Sequence, residues 1–382
     1  MKQIYLDYAA ATPLDGGVLE AMLPYLTDDF YNPSATYLAA RSVRQALNEA
    51  RAEIAGCLGA RPAEIIFTAG ATEANNLAVQ GIMKRFPEGE VLVSVIEHES
   101  VIEPAKLFSH KVIPATKQGV IDLTKLEAMV GDKTVLVSVM LVNNELGTIQ
   151  PVNEIAKLLN KLSNLRKSKG NKLPLYLHTD AAQAGNYLDL HVSRLGVDLM
   201  SLNGGKIYGP KQSGILYVAA GTNLEPIIYG GGQEFNKRSG TENVAACIGL
   251  AAALSKAQAK RQAENRRVAE LRTMFEQELA KRLPITQVNG PAANRAPHIT
   301  SVTFPGVDNE RLMMQLDEAG VIAAVGSACS ASNDEPSHVL KAIGLSDQAA
   351  RSTLRFSFGR DTTAKNVEKV VKLLADFVAA NR

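Results

Sequence analysis

The chain has 382 residues, 46% of them hydrophobic and 21% charged, with a formal net charge of +2. That balance belongs to a globular chain with a sizeable core, and it gives no reason to expect nucleic acid or an anionic membrane as partner. No apolar run reaches the ~20 residues that a membrane span needs, and the start, MKQIYLDYAA, lacks the layout of a signal peptide. Three well-separated cysteines, Cys57, Cys247 and Cys329, argue against a disulfide framework and against a metal site. The setting they predict is a reducing cytoplasm, where a lone cysteine is inert filler or a working thiol.

Length alone suggests two or three domains. Apolar runs read as buried strands at 64–70, 90–98, 134–144, 173–180, 198–204 and 214–218, with helix-like segments such as 72–86 and 153–169 between them. Such alternation predicts an α/β fold with a mostly parallel sheet covered on both faces. Ligands of these sheets bind beyond the C-terminal strand ends. The polar residues placed there are Thr72, His98, Asn144, Asp180, Gln183 and Lys206. From about residue 256 the pattern changes to a long helix at 258–283, a strand at 298–304 and a final helix, read as a smaller C-terminal domain. The stretch 323–337 is small and polar, with Cys329 in its middle, the composition of a mobile loop.

Each of these residues has a plain structural alternative. Lys206 follows two glycines, yet it is not a P-loop lysine, because position 200 is Met and position 207 is Ile. It is a Schiff-base lysine or a surface lysine in a loop. Thr72 is a phosphate-binding hydroxyl at a helix start or an ordinary N-cap. Asp180 ends a buried strand and needs a cationic or N–H partner, which a protonated ring nitrogen or a backbone cap would supply. His98 is catalytic or a satisfied structural histidine. Taken together they meet one demand: a lysine, a carboxylate and a helix end for pyridoxal phosphate.

The motifs carry a resemblance along the whole chain. YLDYAAATP (5–13), FTAGATEANNLA (67–78), EHES (97–100), VNNELGTIQPV (142–152), HTDAAQAGN (178–186), KIYGPKQSGILYV (206–218), GGGQEFNKRSGTEN (230–243), GSACSAS (326–332), EPSHVLKAIG (335–344) and LRFSFGR (354–360) stand in family order. The chain resembles the cysteine desulfurases of the NifS/IscS group, pyridoxal-phosphate enzymes of the class V aminotransferase family.

That resemblance implies the aspartate aminotransferase-like fold, type I among pyridoxal-phosphate-dependent transferases. A large domain (15–255) would hold the cofactor, and residues 1–14 plus 256–382 would form a smaller α+β domain carrying the cysteine loop 323–337. Lys206 would hold the cofactor, Asp180 would pair with its ring nitrogen, and His98 would stack on the ring and shuttle protons. Asn144 and Gln183 would contact its phenolic oxygen. Ala71, Thr72 and Asn203 would seat the phosphate, with Thr241 reaching it from the second subunit of a homodimer. Arg355, with Asn144, would bind the substrate carboxylate, and guanidinium geometry suits that task. Cys329 would take sulfur from L-cysteine as a persulfide, leave alanine, and hand the sulfur to a protein acceptor, an iron–sulfur scaffold or a thiolation enzyme. Cys57 and Cys247 read as buried filler.

The sequence departs from the family at Asn203-Gly204-Gly205-Lys206, where Ser-Gly-His-Lys is usual. A second departure is the histidine usually found shortly after Asn-Pro-Ser, absent from NPSATY (32–37). The first predicts a sparser phosphate seat. Two other readings are a selenocysteine lyase or another class V pyridoxal-phosphate enzyme, and a weakly catalytic sulfur-relay or scaffold subunit. The loop after Ile322 has the longer form, which by analogy implies direct transfer to several acceptors.

Overall fold

The computed structural model describes residues 3–326 and 335–381, so Cys329 lies outside the described residues. Its strands are β1 (Ile4–Tyr5), β2 (Ile65–Thr68), β3 (Glu90–Ser94), β4 (His110–Ile113), β5 (Thr134–Ser138), β6 (Tyr176–Asp180), β7 (Leu199–Asn203), β8 (Gly214–Val218), β9 (Gln287–Asn289), β10 (Ile299–Thr303), β11 (Val321–Ile322) and β12 (Thr353–Ser357). Seven of them form one sheet in the order β2-β8-β7-β6-β5-β3-β4. Strands β4, β3, β5, β6 and β7 run parallel, and β8 is antiparallel to both of its neighbours. The central strands are Val-, Leu- and Ile-rich and almost wholly buried, as a sheet covered on both faces requires. Helices bury the two faces in separate clusters, one around Ile54, Val137 and Met200, the other around Leu77, Val91 and Leu136.

A second sheet, β12-β10-β9, is antiparallel. Its core joins Ile4 and Leu6 to Phe275, Phe356 and Phe358, whose rings stand 4.9 and 5.6 Å from that of Phe275. Strand β1 pairs in parallel with β11 and so ties the N-terminus to this part of the chain.

Three sequence expectations change. The long helix is Val244–Arg282, 39 residues, and starts well before 258. Its first turns, VAACIGLAAAL, are apolar on every side and so show no amphipathic period. The helix serves both cores: Ala245, Leu250 and Leu254 belong to the large-sheet cluster, Val268, Phe275 and Leu279 to the other. Strand β4 was absent from the sequence reading, because its edge position leaves His110, Lys111 and Val112 exposed. Cys247 is buried, as expected of filler, but Cys57 is only partly so. No helix among the described residues is long and apolar enough to cross a membrane.

Candidate active site

The C-terminal ends of the parallel strands open onto a cavity of about 210 Å³. Asp180 is the last residue of β6, and Gln183 lies in the turn after it. Asn203 ends β7, and Lys206 closes the tight turn Gly204–Lys206 that follows. His98 caps the helix Glu99–Lys106 beyond β3, and Asn144 sits in the loop after β5. Ala71 and Thr72 begin the helix Ala71–Arg85 after β2. Arg355 enters from β12 of the second sheet. All nine line the one cavity.

Thr72 is not the cap of its helix. Gly70 occupies that position at φ 119°, a conformation open to glycine, and no side chain among the described residues caps the first turn. The helix therefore starts with bare N–H groups, and Thr72 is an exposed residue of its first turn.

Asp180 is 5% exposed. Its Oδ2 accepts from Asn75 Nδ2 at 2.7 Å and its Oδ1 from the Ala182 N–H at 2.9 Å. The second N–H of Asn75 goes to Ser100 Oγ at 2.8 Å, which lies 2.9 Å from His98 Nδ1. The Ser100 backbone N–H also donates to His98 Nδ1, at 3.1 Å, so that nitrogen carries no proton and Nε2 does. Asn75, Ser100 and His98 thus form one chain from the carboxylate to the imidazole. Asn75 is fully buried within a helix and was missed in the sequence reading; the available signal was an amide on the apolar face of that helix.

Lys206 Nζ donates to the Ala10 carbonyl, and the lysine's own carbonyl accepts from Asn186 Nδ2 at 2.8 Å. The turn that carries Lys206 is held from behind by the Val244–Arg282 helix. A Cβ on Gly204 would come within 3.1 Å of Leu250, and one on Gly209 within 3.0 Å of Ala253, so this close approach requires glycine. Asn203 Oδ1 accepts from the Gly205 N–H at 2.9 Å, which leaves the Asn203 amide N–H groups as its donors. A Cβ at Gly205 would stand 3.3 Å from Asn203 Oδ1 and 3.5 Å from the stem of Lys211.

Arg355 is 3% exposed. Its Nη2 binds Asp7 Oδ1 at 2.6 Å and its Nη1 the Asn144 carbonyl at 2.9 Å, while Nε is buried and has no partner among the described residues. Of five donors, two are engaged among the described residues. Asp7, from the YLDYAAATP motif, had no role in the sequence reading; it sets the plane of the guanidinium.

Two buried glutamates flank the site. Glu97 Oε1 accepts from Ser94 Oγ and the Met140 N–H, both at 2.6 Å, and burial pushes its carboxyl up to about 8. Glu145 accepts from Ser337 Oγ at 2.6 Å, and burial raises its carboxyl as well. Ser337 stands just after the undescribed segment 327–334. At the near end of that segment, Ala324 pairs with Arg355 through backbone hydrogen bonds of 2.8 and 3.1 Å.

Thr241 does not join the other candidates. It lines a separate cavity of about 220 Å³ with Arg238, Glu242 and Cys247. Burial pushes the Cys247 thiol well above its ordinary range and leaves it a poor nucleophile; burial also raises that of Cys57.

The sequence profile of the aminotransferase class-V family matches residues 4–370. A protein named cysteine desulfurase IscS from Dictyoglomus turgidum is 40% identical over 98% of this chain and 94% of its own length. Among solved structures, a NifS-like protein superposes with a TM-score of 0.90 at 29% identity, covering 99% of this chain and 100% of the other. Another, described as SspA in complex with cysteine, gives a TM-score of 0.79 at 35% identity over 93% of this chain and 98% of the other.

Proposed function

The chain belongs to the class-V aminotransferase family, and from that premise we propose that it is a cysteine desulfurase. It takes L-cysteine, leaves alanine and holds the sulfur as a persulfide on Cys329. The observation that carries this reading is the convergence of Lys206, Asp180, His98 and Arg355 on one cavity at the C-terminal end of the sheet.

The family depends on pyridoxal phosphate, and the donor set here fits it. The uncapped start of the Ala71–Arg85 helix offers N–H groups to a phosphate, with Thr72 and Asn203 beside it. The buried Asp180 carboxylate offers an acceptor to a protonated ring nitrogen, and the Lys206 amine supplies the covalent anchor. When bound, the cofactor withdraws electrons from the substrate α-carbon and so weakens its C–H bond and, in turn, its β-carbon–sulfur bond.

The protein's own groups do the rest. Arg355, its plane fixed by Asp7, binds the substrate carboxylate with the N–H groups left to it. His98 holds a proton on Nε2, and Lys206 takes the α-proton and returns it. The Cys329 thiolate attacks the substrate sulfur; a sulfur–sulfur bond forms, the carbon–sulfur bond breaks, and its electron pair stays on the β-carbon, which takes a proton to give alanine.

The wider readings are proposals of the same kind. A homodimer would let Thr241 reach the phosphate of the partner's site, which accounts for its distance from this cavity. The two cores support a division into residues 15–255 and 1–14 plus 256–382. The acceptor is a protein, an iron–sulfur scaffold or a thiolation enzyme, and the setting is a reducing cytoplasm that keeps Cys329 a thiol.

The test is the absorption spectrum of the purified protein, then L-cysteine with sulfide and alanine assays, on the wild type and on Cys329→Ala. The expected result is a yellow protein that releases both products and a yellow Cys329→Ala variant that releases no sulfide. A protein that stays colourless with added pyridoxal phosphate would rule out the enzyme and favour a sulfur-relay role.

A further inference from the structure

We propose that His298 is a positioning residue for this reaction, fixing which end of the Gln183 amide faces the cavity. The inference rests on the cofactor-dependent reading above. Gln183 is 9% exposed and lines the cavity. Its Nε2 donates to the Ala9 carbonyl at 2.9 Å. A carbonyl oxygen accepts only, so this contact identifies the nitrogen end of the amide.

The other end, Oε1, lies 3.2 Å from His298 Nε2. An amide oxygen cannot donate, so the histidine must. His298 therefore carries its proton on Nε2 and none on Nδ1, which is buried and has no partner among the described residues. The ring is held in place by stacking on Tyr187, with centroids 4.4 Å apart and planes 23° from parallel. Burial, with Arg355 and Arg272 adding to it, pushes the imidazole down to about 3, so it stays neutral and keeps one fixed donor.

One of the two Gln183 N–H groups is thus committed to Ala9, and the amide cannot turn over without stranding Oε1. The remaining N–H is the donor that Gln183 offers to an anionic ring oxygen in the cavity. His298 comes from the residue before β10, so the sheet that carries Arg355 also sets the polarity of a residue on the other sheet's rim.

The experiment uses the holoenzyme as purified and follows the pH midpoint of its long-wavelength band. His298→Phe keeps the volume and the stack on Tyr187 but removes the donor. A ring oxygen that loses a fixed donor holds a neighbouring proton more tightly, so the midpoint should rise by about one unit, a tenfold change. His298→Gln, whose amide nitrogen reaches the place of Nε2, should return the midpoint to that of the wild type. Independently of cofactor, 15N-histidine NMR of the cofactor-free protein should show a resonance that disappears in His298→Phe and has the Nε2–H tautomer. A yellow wild type with an unmoved midpoint in His298→Phe, or an Nδ1–H tautomer, would overturn this role alone. A colourless wild type would overturn the cofactor reading and this role together.

Discussion

Asn75 Nδ2 donates to both Asp180 Oδ2 and Ser100 Oγ, at 2.7 and 2.8 Å, so one buried amide holds the carboxylate at the end of β6 and, through Ser100, the ring of His98. Replacing it by the near-isosteric leucine keeps the helix packed and removes both bonds. Hydrogen bonds to charged groups contribute about 1.5–3 kcal/mol. The expected outcome for Asn75→Leu is a kcat lower by about tenfold or more, with KM for L-cysteine within about twofold. Steady-state kinetics at saturating cofactor check it, and an unchanged kcat would show that the amide does nothing for the reaction.

Lys206 is the group whose loss should be felt most. Lys206→Ala should release its cofactor on dialysis, give no detectable sulfide, and keep the wild-type fold by circular dichroism, because its side chain reaches the cavity rather than either core. Colour that survives dialysis would mean that another amine anchors the cofactor.

The buried pair Arg51–Glu234 predicts a stability effect away from the chemistry. Both Arg51 terminal nitrogens bind Glu234 at 2.7 Å, and Glu234 Oε2 also accepts from the Phe67 N–H of β2. The chain around it stands at positive φ for Glu234, Phe235 and Asn236, an arrangement that only firm anchoring sustains. Arg51→Met leaves a buried carboxylate unpaired and should cost about 3–5 kcal/mol. Urea unfolding followed by circular dichroism measures this, and a loss below about 1 kcal/mol would show that the pair behaves like a surface one.

Glu97 predicts how stability changes with pH. Its carboxyl sits near 4.5 when unfolded and about 8 in the folded protein. The stabilisation of its protonated form is complete below the lower value and is lost as pH rises towards the upper one. Over that window Glu97 alone contributes a slope of up to about 1.4 kcal/mol per pH unit. In Glu97→Gln that slope disappears, so the wild type should lose stability relative to the variant between pH 5 and 8 (about one proton's worth). Parallel unfolding curves at several pH values decide it.

Much of the site is legible in the sequence, for a physical reason. Asp180, Asn203 and Lys206 stand where apolar runs stop, and a parallel sheet sends such positions to one edge. The residues that orient them were not legible in the same way. Asn75 lies inside a helical pattern, His298 at the start of a strand, and Asp7 in a short N-terminal segment, and each acts through a neighbour that only folding supplies. The alternative reading of Thr72 as an N-cap falls two residues too late, because Gly70 takes the cap that a threonine commonly fills. The start of the long helix was hidden because a segment buried on all sides has no polar face to mark its period.

That helix carries a consequence for how the chain can be rearranged. Its 39 residues span about 58 Å at 1.5 Å per residue, and it is skewered through both hydrophobic clusters while its flank supports the lysine turn. A break or permutation point within it would sever the keel from which both halves are hung. New termini belong instead in exposed connections such as 169–171, where no core depends on chain continuity.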